Sequence, residues 1–147
     1  MSPFFSIVTL FLSLAVVIIA ALQWQVARNK LRLDLFDRRY KVYDATRKFL
    51  AGILRAATFT DSQLFEFNAC TSDTEFLFGR DVVDYLAQIR KCTLDMRLHV
   101  KEYEPMPVGD ERSRHVKAQH DELLWLTNQL TAMTQIFAPY LGFSHIH

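Results

Sequence analysis

An uncharged apolar block at the N-terminal end constrains this chain more than any other feature. Residues 3–22 are apolar except for Ser6, Thr9 and Ser13, and the first charged side chain is Arg28. At 1.5 Å per helical residue, about 20 such residues match a hydrocarbon core of roughly 30 Å. The three small hydroxyls are tolerated in such a helix because each can bond back to a backbone carbonyl. Trp24 follows where the headgroups begin, a level at which an indole keeps its ring apolar and its N–H wet. A cleavable signal peptide would show a basic leading region, an apolar run of about 7–15 residues and a small-residue cleavage site. None of these is present. A core helix of a soluble protein is rarely this long and this free of charge. The expectation is a single transmembrane anchor over residues 1–23.

Charge then sets the orientation. The whole chain of 147 residues carries a net charge of +1, but residues 24–48 hold eight basic groups against three acidic ones, a local +5. The remainder holds nine basic and thirteen acidic groups, a net of −4. Basic residues that directly follow a span stay on the cytoplasmic side, so residues 24–147 are expected to form a cytoplasmic domain, with the bilayer as a first partner. Cys70 and Cys92, the two cysteines, suit a reducing compartment and imply no disulfide framework.

Beyond the apolar block the pattern is helical throughout, with no strand signal. Leu35, Val42, Phe49 and Ala56 recur every seven residues with Ile53 beside them, and Phe36, Tyr40, Tyr43, Leu50 and Leu54 form a second stripe. With no proline or glycine between Leu22 and Gly52, the span and this amphipathic helix are expected to run on as one. Thr60, Asp61 and Ser62 signal a stop and a new N-cap, before a short helix around Leu64, Phe65 and Phe67. Asp73 or Thr74 caps the next piece, which opens with Phe76, Leu77 and Phe78. Gly79 marks a break, and a long helix follows to about Glu104 on Val82, Leu86, Ile89, Thr93, Met96, Val100 and Tyr103. Pro105, Pro107 and Gly109 form a tight loop. Asp110 is expected to cap the last helix, on Val116, Leu123, Leu130 and Phe137, and Pro139 to end it. The fold class expected is all-α: one N-terminal transmembrane helix continuing into an antiparallel three-helix bundle with an extra short helix.

Three segments, KLRLDLFDRRYKVY (Lys30–Tyr43), EFLFG (Glu75–Gly79) and FAPYL (Phe137–Leu141), resemble an uncharacterised family of small bacterial single-pass membrane proteins. The resemblance implies bacterial origin and residence in the inner membrane. It brings no activity and no functional residues with it.

Few residues point to chemistry. Arg28, Lys30 and Arg32 form a basic cluster at the membrane surface, where each charge near anionic headgroups is worth about 1 kcal/mol. Arg38 and Arg39, with Lys41 beyond them, lie roughly 20 Å or more from the headgroups along an upright helix, beyond a Debye length of about 8 Å. They are expected to form a solvated face, with Arg38 and Lys41 paired to Asp34 and Asp37. The histidine spacing gives no metal site: His145 and His147 are only two ligands, and His115 and His120 fall on different helix faces. No nucleophile is paired with a base and no carboxylate pair sits in a recognisable pocket, so no catalytic site, cofactor or small-molecule substrate is expected. The acidic remainder speaks against nucleic acid.

Phe65, Phe67, Phe76 and Phe78 stand apart, being four phenylalanines within fourteen residues. They either plug one end of the bundle or form an apolar patch for self-association or a partner helix. A split is expected, with Phe76 buried and Phe65 or Phe67 partly exposed. The function these features suggest is a membrane-anchored interaction or scaffold module, not an enzyme. An oligomerising membrane effector, of toxin or defence type, is the alternative. The span speaks mildly against that alternative, because Ser13, Ala20 and Ala21 do not align as a packing seam.

Overall fold

The computed structural model describes residues 3–142, with side chains from Leu10 onward. Within them every regular element is a helix: α1 (Pro3–Ala56), α2 (Asp61–Cys70), α3 (Thr74–Leu77), α4 (Arg80–Tyr103) and α5 (Asp110–Leu141). The all-helical expectation is met, and the pieces expected around Leu64–Phe67 and after Asp73 are two short helices, α2 and α3, where the fold class counted one. The chain divides into two compact units, Met1–Asp37 and Arg38–His147, and α1 contributes to both. That division lies fourteen residues beyond the boundary expected from hydropathy. Hydropathy changes where the apolar run stops, whereas packing begins where side chains first meet a core, at Arg39 and Val42.

In the first unit every described side chain is exposed. An 18-residue window of α1 has a mean hydropathy of 2.1 and none of it is buried. Among the described residues, α1 is the one helix long and apolar enough to cross a membrane.

The second unit is built on a helical hairpin. α4 and α5 run antiparallel, with Asp81 beside Tyr140, Tyr85 beside Gln129, Cys92 beside Glu122 and Tyr103 beside Gln119. Val82, Tyr85, Leu86, Ile89 and Met96 of α4 and Leu126, Met133, Phe137 and Leu141 of α5 share one core with Val42, Phe49, Leu50 and Ile53 of α1. The seven-residue repeat is therefore buried from Val42 onward, while Leu35 and Ala56 at its ends stay exposed. Four threonines lie inside, at 46, 71, 74 and 93, and each hydroxyl donates to a carbonyl three or four residues back at 2.6–2.8 Å. A buried hydroxyl without such a bond would destabilise the fold by roughly 1–3 kcal/mol.

Helix ends follow local chemistry. α1 closes with Ala57 in a left-handed conformation (φ 53°), its N–H donating to Ile53 O at 2.7 Å. α2 opens with a capping box: Thr60 Oγ1 accepts from the Gln63 N–H at 3.2 Å, and Gln63 Oε1 accepts from the Thr60 N–H at 2.8 Å. Two arginines of α4 stitch α2 down. Arg90 donates to Thr71 Oγ1 at 2.7 Å and Asn68 Oδ1 at 3.1 Å, and Arg97 pairs with Asp61 while lying over the Phe59 ring. Gly79 precedes α4 because a side chain there would run into the Tyr140 hydroxyl and the Asp81 carboxylate.

Two boundaries differ from expectation. Gly109, not Asp110, is the residue before α5, and Asp110 opens the helix with Glu111, where both carboxylates favour the positive end of the dipole. Pro139 does not end α5, which continues to Leu141 and closes on Gly142 with φ 68°. A proline inside a helix loses the hydrogen bond of its missing N–H and crowds the carbonyl four residues back, so the last turn needs support from elsewhere. That support comes from Leu141, which is buried, and Tyr140, whose hydroxyl donates to Asp81 at 2.6 Å and accepts from the Gly79 N–H at 3.1 Å.

Candidate functional site

The basic residues of α1 fall into two groups with different roles. Arg28, Lys30 and Arg32 are exposed, and the Arg28 guanidinium lies 5.4 Å from the centre of the Trp24 ring. Cation and aromatic ring sit one helical turn apart, so they meet on one face.

Arg39 departs from the expected solvated face. Its Nε donates to Leu77 O at 2.9 Å and its Nη1 to Tyr140 O at 3.3 Å, with the guanidinium 5.5 Å from the Tyr140 ring centre. The last carbonyls of α3 and α5 have no partner within their own helices, and a cation near them also complements the dipole. Arg39 thus clasps two helix C-termini to the start of the packed part of α1. Among the described residues the ion pairs of α1 are made by Asp44, 3.2 Å from Arg47 and 2.7 Å from Lys48, and not by the expected Asp34 and Asp37. Hydrogen bonding from Lys48 holds the Asp44 carboxyl below its usual range, and the same bond raises Lys48.

The phenylalanine group splits by alternation. Phe67 is 2% exposed and stacks on Phe49 with ring centres 4.5 Å apart, and Phe78 is 9% exposed with its ring edge-on to Phe137 and Tyr140. Phe65 is 76% exposed and Phe76 88%. The expected burial of Phe76 is therefore corrected. On α2 only the face carrying Leu64 and Phe67 meets the core, and Phe65 lies about 100° round the helix from Leu64. In α3, a single turn, Thr74 faces inward and Phe76 outward. Phe76 lines a groove of about 590 Å³ with Arg38, Lys41, Val42, Cys70, Asp73 and Leu77.

A third group was not legible in the sequence. Near the loop end of the α4–α5 hairpin, His99 Nδ1 lies 3.1 Å from His115 Nδ1. Glu102 Oε2 is 3.1 Å from His115 Nδ1 and 3.7 Å from His99 Nδ1. On its other side His99 presents Nε2 to Glu122 Oε1 at 3.5 Å. Glu122 Oε2 is buried without a hydrogen-bond partner, and burial pushes this carboxyl up from its ordinary value. About two turns along α4 from His99, the Cys92 thiol approaches Glu122 O at 3.7 Å, and burial raises it to about 11. His99 and His115 are sixteen residues apart, so no spacing rule within one helix pairs them. They are, however, equidistant from Pro107 in the loop, and a hairpin folded about that residue places them opposite each other. The tail pair His145 and His147 lies outside the described residues.

Compared with known protein families, curated proteins and solved structures, the chain matches none.

Proposed function

We propose that this chain is a single-pass protein of a bacterial inner membrane, anchored by residues 1–23, whose cytoplasmic antiparallel three-helix bundle is an interaction module. The observation that carries this reading is the apolar surface of α1. Leu10, Phe11, Leu12, Leu14, Val17, Ile18 and Leu22 are each more than half exposed. In water, a contiguous patch of this kind drives association. In lipid it is the ordinary state of a spanning helix, whose backbone groups are all bonded internally. Arg28, Lys30 and Arg32 follow the span and keep the domain on the cytoplasmic side. The bundle consists of the packed part of α1 with α4 and α5.

The surface proposed for contact is Phe65 and Phe76, two large aromatic side chains left in solvent beside two that are buried. Exposed aromatic anchors of this type supply much of the energy in protein interfaces. The occupant favoured here is a second copy of the chain. Cross-linking the full-length chain in intact membranes is expected to give dimeric adducts that disappear in a Phe65→Ser, Phe76→Ser variant. Its melting temperature should stay close to that of the parent, because surface substitutions usually change stability by about 0.5 kcal/mol or less. Adducts unchanged in the variant would remove the patch from this reading. Leakage of vesicles on adding the purified chain would favour the membrane-effector alternative.

A further inference from the structure

We propose that His99 and Glu102 of α4 and His115 of α5 bind a divalent transition-metal ion of the zinc class, bridging the two helices near the hairpin loop. Each residue offers one ligand atom of a type such ions prefer, imidazole nitrogen or carboxylate oxygen. The spacing of those atoms is the main support. A tetrahedral ion with bonds of about 2.0–2.1 Å separates its ligand atoms by about 3.3–3.4 Å. The three separations here are 3.1, 3.1 and 3.7 Å, which straddle that value, so the atoms already outline one face of a tetrahedron. Three protein ligands leave the fourth position to water.

Proton accounting points the same way. Without an ion, a proton on His115 Nδ1 faces two acceptors at equal distance, His99 Nδ1 and Glu102 Oε2, both at 3.1 Å. With the proton of His99 on Nε2, the lone pairs of His99 Nδ1 and Glu102 Oε2 both point at that shared proton, the position a cation would take in its place. The reverse side of His99 fits as well. A histidine that ligates through Nδ1 keeps its proton on Nε2, and such ring N–H groups are usually held by a carboxylate. Glu122 Oε1 is placed for that role, 3.5 Å from Nε2. Glu122 is therefore a positioning residue, not a ligand. The site is half-buried, with the side chains of His99 and His115 27% and 23% exposed, so an ion can enter from solvent.

This inference does not depend on the membrane anchor or on the Phe65–Phe76 surface. Its test uses the full chain in detergent micelles, purified without a histidine tag, stripped with chelator, and carrying His145→Ala and His147→Ala so that the tail cannot contribute. Zn2+ is expected to bind one per chain and to raise Tm. Co2+ is expected to give the visible absorption of a tetrahedral site. His99→Ala or His115→Ala should abolish both signals while circular dichroism shows the helices intact. If either variant loses helicity, Glu102→Gln serves instead, since that side chain is the most exposed of the three ligands. Glu122→Gln should weaken Zn2+ by about tenfold or more without changing the stoichiometry, as expected for a residue behind a ligand. Binding that persists in a His99→Ala, His115→Ala variant, or a folded parent that takes up no Zn2+ saturably, would overturn the proposal.

Discussion

Helix α1 carries apolar side chains at both ends, and the two ends dispose of them differently. From Leu10 to Leu22 they point in all directions and every one is exposed. From Val42 to Ile53 they recur on one side, and Val42, Phe49, Leu50 and Ile53 are buried while Lys48 and Leu54 face out. Composition distinguishes the two regions less well than periodicity does. An all-round apolar surface has no polar face to turn to water, whereas a stripe needs only one protein neighbour. The same residue types are therefore left exposed in one stretch, where lipid is the proposed cover, and buried in a core in the other.

Stability measurements can break this contrast, and the largest difference is expected between a core position and a span position. Phe137 is fully buried against Tyr43, Phe78 and Tyr85, so Phe137→Ala should destabilise the domain by about 3–5 kcal/mol. Leu14→Ala should leave the domain's unfolding unchanged to within about 0.5 kcal/mol, because Leu14 is an exposed residue of the first unit. Equal losses at both positions, measured by chemical denaturation in detergent, would mean that the apolar stretch packs on protein after all.

A smaller effect sharpens the comparison within the domain. Cys70 is exposed and Cys92 is partly buried, its thiol raised to about 11. Burial disfavours the thiolate, so Cys92 contributes stability that is complete below the ordinary thiol value and is lost as pH rises through about 11. Mass spectrometry after brief alkylation at neutral pH should find Cys70 modified and Cys92 spared. Denaturant should remove the difference. Equal labelling of both cysteines in the folded chain would contradict the packing of α4 on α5.

Much of this architecture was legible from local signals. The stop at Thr60, the break at Gly79, the loop at Pro105–Gly109 and the middles of the core stripes follow from capping, backbone restriction and periodicity, whereas Phe36, Tyr40, Leu54 and Val116, expected in those stripes, are exposed. What escaped depends on tertiary placement. Pro139 is a helix stop in isolation, but contacts from Leu141 and Tyr140 carry the helix past it. Arg39 reads as a solvated charge because the carbonyls it serves belong to residues 77 and 140, far along the chain. Burial of Phe67 and Phe78 with exposure of Phe65 and Phe76 is set by which face of two short helices meets the core, and four or ten residues carry too little periodicity to show it. The His99–Glu102–His115 group is a product of hairpin register, visible only once α4 and α5 are known to pair.

The measurement that tests the central claim most directly is a pair of reporter fusions after His147 in bacterial cells. An alkaline phosphatase that is active only outside the cytoplasm should be silent there, and a fluorescent protein that matures in the cytoplasm should be bright in the membrane fraction. The positive charge of Arg28, Lys30 and Arg32 predicts that outcome. Strong phosphatase activity, or fluorescence that stays in the soluble fraction, would contradict it.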